Sequence, residues 1–175
     1  MAFGPTPTPT PGERGSVNVF NQFAVAEKSA FDVSKLAEKF KYRDTGWTIP
    51  EAFLGILFKA GMADGQFTEP EAKAIEQVAS RSRALRALSP ADLGALNNSV
   101  NEKLNNRSDA LKEACQTLPA DMCLPVFAHC VDIVLSDGQL DESEAKFLQQ
   151  LAELLDIEPD NSRRVMEVLL LKAQY

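Results

Sequence analysis

The chain contains the stretch Asp64-Gly-Gln-Phe-Thr-Glu-Pro-Glu-Ala-Lys73 and repeats it as Asp137-Gly-Gln-Leu-Asp-Glu-Ser-Glu-Ala-Lys146. Seven of the ten positions agree, and the two copies lie 73 residues apart. Each copy follows an apolar segment and precedes an amphipathic one with helical spacing. An offset of 73 residues exceeds the ~20–50 residue periods of solenoids. The pattern therefore predicts a duplicated helical hairpin, over about 50–88 and 123–158, with the copies packed about a pseudo-two-fold axis.

The shared residues have a complete structural explanation as a turn between two helices. Gly65 and Gly138 are predicted to end the first helix of each hairpin, because glycine enters the left-handed conformation without steric penalty. We expect Phe67 and Leu140 to pack into the core beneath the turn. On this interpretation the repeat is a folding element and requires no ligand.

The residues that follow match a capping box. Thr68 and Asp141 are predicted N-caps, and Glu71 and Glu144 stand three residues later, where a glutamate accepts a hydrogen bond from the N-cap backbone. Each glutamate also lies at the positive end of the helix dipole. The pattern predicts that a second helix begins after each cap.

The same residues support a second interpretation, in which the turns bind a divalent cation. Positions five to twelve of an EF-hand calcium loop read Asp-Gly-x-apolar-x-x-x-Glu. Asp64 with Glu71, and Asp137 with Glu144, would then supply oxygen ligands. The first and third positions of such loops would be apolar residues, namely Ala60, Met62, Ile133 and Leu135. A normal EF-hand is therefore excluded, and each copy is at most a half-site.

Helical periodicity covers most of the remaining chain. An apolar stripe of Val33, Leu36, Ala37 and Phe40 predicts a first helix, and a second is predicted to start near Pro50. Ser89 and Ser108 are predicted N-caps of two further helices. Another helical region is predicted to start at Pro119, where Pro125 either kinks the helix or marks its true start, and the apolar segment over 165–171 predicts the last helix. No segment alternates with period two, so the predicted fold class is all-α. The Pro/Thr-rich leader predicts a disordered tail over residues 1–20, before a single helical domain over 21–175.

Composition limits the partners. The net charge is −7 at pH 7, so a nucleic acid is not an expected partner. The densest basic run, Arg81 to Arg86, stands where a helix should end, and cations there offset the helix dipole. No apolar run approaches the ~20 residues of a membrane span. The N-terminus lacks the features of a signal peptide. We therefore expect a cytoplasmic protein that is not embedded in a membrane.

The cysteines and the single histidine do not suggest catalysis. The odd set of Cys115, Cys123 and Cys130 fits reduced thiols packed in a core. His129 precedes Cys130, and neighbouring helical residues point about 100° apart, so the two cannot act as a nucleophile and its base. We predict no catalytic residue and no enzymatic activity.

Both turns resemble the signature of the TerB and DjlA-N-terminal-like helical family, an Ala-Asp-Gly turn with a glutamate seven residues after the Asp. The first copy has Ala63-Asp64-Gly65 with Glu71; the second has Ser136-Asp137-Gly138 with Glu144. The resemblance covers roughly Pro50 to Ala173, and only Ser136 departs from the signature. It implies an all-helical bundle, a bacterial protein associated with tellurite resistance or wider chemical stress, and acidic residues that bind metal ions or partners.

Three functional classes follow from these patterns. An acidic helical module that binds a protein partner in a stress response is the preferred hypothesis, since no catalytic site is visible. The alternative is a sensor or buffer that binds a divalent cation through Asp64, Glu71, Asp137 and Glu144. An enzyme ranks third. The sequence predicts neither the partner nor the oligomeric state.

Overall fold

The computed structural model describes residues 45–174. Over this range the chain forms seven α-helices and no strand, which confirms the predicted all-α fold. The helices in chain order are α1 Ile49–Ala60, α2 Glu69–Arg81, α3 Pro90–Asn106, α4 Ala110–Thr117, α5 Ala120–Val134, α6 Glu142–Leu154 and α7 Pro159–Ala173; a short 3-10 turn, Leu135–Asp137, follows α5. The predicted tail over 1–20 and the apolar stripe at Val33, Leu36, Ala37 and Phe40 lie outside the described residues.

Helices α1 and α5 form the centre of the fold. Helix α1 packs against α3, α4 and α5, and α5 packs in turn against α2, α6 and α7. The two helices supply twelve buried apolar residues: Ala52, Phe53, Leu54, Ile56, Leu57, Ala60, Val126, Phe127, Cys130, Val131, Ile133 and Val134. Both sequences are apolar nearly all round because neighbours surround both helices. The first helix of each sequence repeat is thus a core helix.

Four of the seven described helices begin with a capping box. The N-cap and its partner are Thr48 with Glu51 at α1, Thr68 with Glu71 at α2, Ser89 with Asp92 at α3, and Asp141 with Glu144 at α6. Each box satisfies backbone N–H groups that a helix start leaves unpaired. The predicted caps at Thr68, Ser89 and Asp141 are confirmed, and α2 ends at Arg81, where the basic run begins.

One predicted helix start differs from the structure, and the structure decides between two predicted starts of α5. The N-cap of α4 is Asp109 and not Ser108, because the Ala110 amide donates to the Arg107 carbonyl and places Ser108 inside a turn. Helix α5 begins at Ala120 with Pro119 as its N-cap, in agreement with the predicted start at Pro119, and Pro125 lies inside the helix rather than at its start. Proline has no amide hydrogen, but its exposed position there keeps the ring out of the core.

Among the described residues, no helix combines the length and the apolar character needed to cross a membrane.

Candidate functional site

The two repeated turns have the same backbone conformation. Gly65 and Gly138 adopt φ angles of 85° and 81°, in the left-handed region where a side chain would be strained. The Gly65 amide donates to the Met62 carbonyl at 3.0 Å, and the Gly138 amide donates to the Leu135 carbonyl at 3.0 Å. The predicted left-handed conformation of both glycines is confirmed. The prediction that they end the first helices is wrong, because α1 ends at Ala60 with Gly61 as its C-cap, and α5 ends at Val134, before the 3-10 turn that Gly138 closes.

The two turn aspartates make matching hydrogen bonds to the backbone. Oδ1 of Asp64 accepts from the Gln66 amide at 2.8 Å, and Oδ1 of Asp137 accepts from the Gln139 amide at 2.9 Å. Such side-chain bonds to the amide two residues on are a known role of Asp in turns. Both side chains are exposed, so each aspartate shapes its turn and also presents a negative charge to solvent.

Glu71 and Glu144 are buried at the start of the helix that follows each turn, with exposed fractions of 5% and 7%. Oε2 of Glu71 accepts from the backbone amide and the hydroxyl of Thr68, both at 2.7 Å. Oε2 of Glu144 accepts from the Asp141 amide at 2.8 Å. Each carboxylate therefore uses Oε2 for the cap, and its Oε1 accepts no hydrogen bond from a described residue.

The charges of the two turns influence each other. Burial raises the pKa of Glu144; the hydrogen bond from Asp141 opposes that shift, and the negative charges of Asp141, Asp137 and Asp64 add to it. Asp64 belongs to the first copy and Glu144 to the second, so the two copies lie within electrostatic reach. Helix α2 also packs against the 3-10 turn that carries Asp137. The fold thus brings the four sequence-predicted site residues into one acidic region.

This acidic region is not a preformed metal shell. Within the described part of the chain, no three His, Cys, Asp or Glu side chains are arranged to hold a metal ion. Two of the apolar residues at ligand positions of the calcium-loop pattern, Ala60 and Ile133, are fully buried. Any cation bound here would need water or a partner to complete its coordination.

Phe67 was predicted to pack into the core, and this prediction is wrong. Its exposed fraction is 49%, as is that of Met62 just before the turn. The Phe67 ring lies against Gly61 and meets the Phe58 ring edge-on, with centroids 6.3 Å apart. It therefore covers the surface at the end of α1. Leu140, its counterpart in the second copy, packs against the core as predicted.

A third buried glutamate, Glu51, belongs to a network that the sequence analysis missed. Oε2 of Glu51 caps α1 by accepting from the Thr48 amide at 2.7 Å. Oε1 lies 2.7 Å from the Lys103 ammonium and accepts from the Ser99 hydroxyl at 2.5 Å. The same ammonium lies 5.2 Å from the centroid of the Trp47 ring, a cation–π distance. The network joins the start of α1 to α3.

The electrostatics of Glu51 are opposite to those of Glu144. Burial alone would raise the pKa of Glu51, but the hydrogen bonds from Lys103, Ser99 and Thr48 lower it to about 2. The capping pattern of Glu51 is visible in the sequence as Thr48-Ile-Pro-Glu51. The pairing with Lys103, roughly fifty residues later, has no local signal.

The cysteines are free thiols, and the two buried ones are not activated as nucleophiles. All three cysteines are thiols rather than disulfides. Burial raises the pKa of Cys115 to about 12 and that of Cys130 well above its ordinary value, so neither is a thiolate at neutral pH. The predicted core packing holds for these two, whereas Cys123 is only partly buried and donates to the Pro119 carbonyl.

Comparison with known proteins identifies one family. The sequence model of the family described as tellurite resistance protein TerB matches residues 51–167, about two thirds of the chain. The match begins in α1, ends in α7 and includes both acidic turns. No curated protein and no solved structure matches the chain.

Proposed function

Because the chain belongs to the TerB family of tellurite resistance proteins, we propose that it is a non-catalytic module whose acidic turns bind a basic segment of a partner protein in the response to chemical stress. The observation that carries this proposal is that α2, which follows the first turn, packs against the 3-10 turn that carries Asp137, so that both acidic turns lie in one region. Two half-exposed apolar side chains, Met62 and Phe67, border the first turn.

The negative charge of the two turns indicates which kind of protein segment would bind there. The exposed Asp64 and Asp137 carry negative charge next to the buried Glu144, and the whole chain has a net charge of −7. A surface of one sign attracts a partner of the opposite sign and accelerates its association, most strongly at low salt. A segment rich in Lys or Arg is therefore the complementary partner.

Apolar contact would supply the remaining affinity. Met62 and Phe67 are each 49% exposed, and aromatic residues and methionine are enriched at the cores of protein interfaces. A partner segment that places an apolar side chain on Phe67 would bury the exposed half of the ring. The proposed ligand thus combines basic residues with at least one apolar residue.

The chemistry of the reactive groups supports a role without catalysis. The buried Cys115 and Cys130 thiols stay protonated at neutral pH because their pKa values are raised. The carboxylates of the two turns are already engaged in turn and cap hydrogen bonds. None of these groups is arranged as a nucleophile with its base.

The test is partner capture with charge-reversed turns. We expect affinity purification from the native host, quantified by mass spectrometry, to recover a partner with the parent chain and to lose it with Asp64→Lys/Asp137→Lys. With the partner so recovered, Phe67→Ala should weaken binding about tenfold, as removal of an interface hot spot does. Higher salt should weaken the complex as well.

The matched control is Glu76→Lys/Glu102→Lys, which reverses two exposed carboxylates on α2 and α3 and changes the net charge equally. This control should retain the partner. Equal loss in both double variants would mean that only total charge matters, and equal capture by both would place the partner elsewhere. Either result contradicts the proposed surface.

A divalent cation is the second candidate ligand of the same turns. Burial raises the pKa of Glu144, and the like charges of Asp141, Asp137 and Asp64 add to that shift. A cation placed among these carboxylates would relieve their mutual repulsion. Oε1 of Glu71 or Glu144 would be an available ligand oxygen. The apolar residues at the first and third positions of the calcium-loop pattern leave any such site incomplete.

We expect millimolar calcium, magnesium or manganese to raise the melting temperature of the parent by no more than about 2 °C, the shift from a ligand near its Kd. Glu71→Gln/Glu144→Gln, which retains a capping acceptor, should show no shift. The measurement is thermal unfolding with and without each cation. Calorimetric binding of calcium at micromolar Kd, lost in the double variant, would instead make the cation the ligand of the turns.

A further inference from the structure

A cavity of about 550 Å³ lies between α2 and α5 and is bordered by the 3-10 turn at Ser136. It is lined by residues three or four apart along one face of α2, from Pro70 to Arg81, and along one face of α5 and the turn, from His129 to Ser136. Lys172 of α7 completes the lining. Its volume falls within the ~300–1,000 Å³ of small-molecule sites.

Ser136 lines this cavity with an unsatisfied hydroxyl. Its Oγ is buried and has no hydrogen-bond partner within residues 45–174. Such groups are rare in folded proteins and call for an explanation. The turn itself does not need the hydroxyl, because the first copy forms the same turn with Ala63 at the equivalent position. The hydroxyl is thus a feature of the cavity and not of the repeat.

His129 adds a second unpartnered polar group to the same wall. His129 lies on α5 and Ser136 on the 3-10 turn that follows it, and both line the cavity. The ring meets Phe53 edge-on, and neither ring nitrogen is hydrogen-bonded to a described residue. Burial lowers the pKa of His129, which keeps the imidazole neutral at pH 7. A neutral imidazole can donate one hydrogen bond and accept another.

The charge of the lining is opposite to that of the protein. Lys73, Arg81 and Lys172 stand against the single carboxylate Asp132, in a chain of net charge −7. Lys73 pairs with Glu69, and Lys172 pairs with Asp132, in exposed salt bridges of the weak surface type. Arg81 forms no ion pair with any other residue of the 45–174 range, and its guanidinium can grip an anion through two parallel hydrogen bonds.

We propose that this cavity binds a small organic anion, a compound with a carboxylate or phosphate group on a short apolar body. Arg81 would hold the anionic group, and Ser136 and His129 would hydrogen-bond to the polar part of the ligand. The apolar wall of Ala74, Val78 and Ile133 would contact its body. The proposed site uses none of Asp64, Glu71, Asp137 and Glu144, although Ser136 precedes Asp137 in the same 3-10 turn, and the proposal does not rest on the partner proposed for the acidic turns.

The test uses three probes of similar size on the full chain: phenyl phosphate, benzoate and neutral benzyl alcohol. Titration followed by amide chemical shifts should give saturable changes confined to α2, the end of α5 and the 3-10 turn. Whichever anion binds more tightly identifies the headgroup. Binding of benzyl alcohol as tight as that of both anions would overturn the assignment to an anion, and the absence of saturable binding by any probe would overturn the site.

Three variants assign the binding to the named residues. Arg81→Gln should raise the Kd of the preferred anion at least tenfold, whereas Arg86→Gln, on the exposed loop beyond α2, should change it less than twofold. Ser136→Ala introduces the alanine that the first copy has at the equivalent position, Ala63. This variant should therefore fold normally and bind the anion several-fold more weakly. Equal responses to Arg81→Gln and Arg86→Gln would mean that the anion associates with the surface nonspecifically, and the proposal would fall.

Discussion

Glu51→Gln is expected to lower the free energy of unfolding by about 3 kcal/mol at neutral pH, whereas Glu144→Gln is expected to leave it unchanged or to raise it. The two glutamates have the same role, since both close a capping box, and both are buried, with exposed fractions of 8% and 7%. Glutamine serves at this position of the box. Each substitution therefore removes one negative charge and keeps the cap, and the two differ in the surroundings of that charge.

The expected difference follows from the two pKa shifts. The pKa of Glu51 falls from 4.5 to about 2 despite burial, because Lys103, Ser99 and Thr48 hydrogen-bond to the ionised form. Each unit of such a shift corresponds to about 1.4 kcal/mol of stability at pH 7, so the whole shift is worth about 3 kcal/mol. Burial and neighbouring carboxylates raise the pKa of Glu144 instead, so its ionisation at pH 7 opposes folding.

The pH dependence has opposite signs at the two positions. The lowered pKa of Glu51 stabilises the fold fully above pH 4.5, and this stabilisation is lost as the pH falls through about 2. The raised pKa of Glu144 gives a destabilisation that disappears as the pH falls through its folded-state value. Urea unfolding between pH 7 and pH 2 measures both effects. Equal losses in the two variants at pH 7 would contradict the assigned electrostatics.

Local sequence signals predicted the parts of the fold that depend on neighbouring residues. The turn conformation of Gly65 and Gly138, and the caps at Thr68 and Asp141, involve atoms at most three or four residues apart. Such contacts form wherever the pattern occurs, because the backbone needs them at every helix start. The error at Ser108 is of one residue, the usual uncertainty of a helix boundary.

Features that depend on packing were not predictable. The effect of the Asp64 charge on the pKa of Glu144 depends on how the two hairpins pack against each other. The hydrophobic periodicity of the sequence does not encode that packing. Phe67 and Leu140 occupy equivalent positions, yet one is half exposed and the other packs against the core, because the two hairpins have different neighbours. Ser136 was visible as a departure from the signature. Only the structure shows that its hydroxyl is buried without a partner.

Lys103→Met is expected to be more damaging than Glu51→Gln, with a loss of about 3–5 kcal/mol at pH 7. It leaves the Glu51 carboxylate buried without its counter-charge and removes the ammonium from the Trp47 ring. In Glu51→Gln, by contrast, Lys103 keeps its place over Trp47, and its long side chain can reach water. Lys146→Met, which breaks the exposed pair with Glu142, should change stability by less than about 0.5 kcal/mol.

Adding Glu51→Gln to Lys103→Met should recover most of the loss, because no unpaired charge then remains buried. The double-mutant cycle should give a coupling energy of about 2 kcal/mol or more between the two residues. The loss in Lys103→Met alone should also shrink as the pH falls, since burial without the ammonium raises the pKa of Glu51 and protonation removes the buried charge. Additive losses that do not change with pH would show that Lys103 stabilises the fold by packing on Trp47 alone.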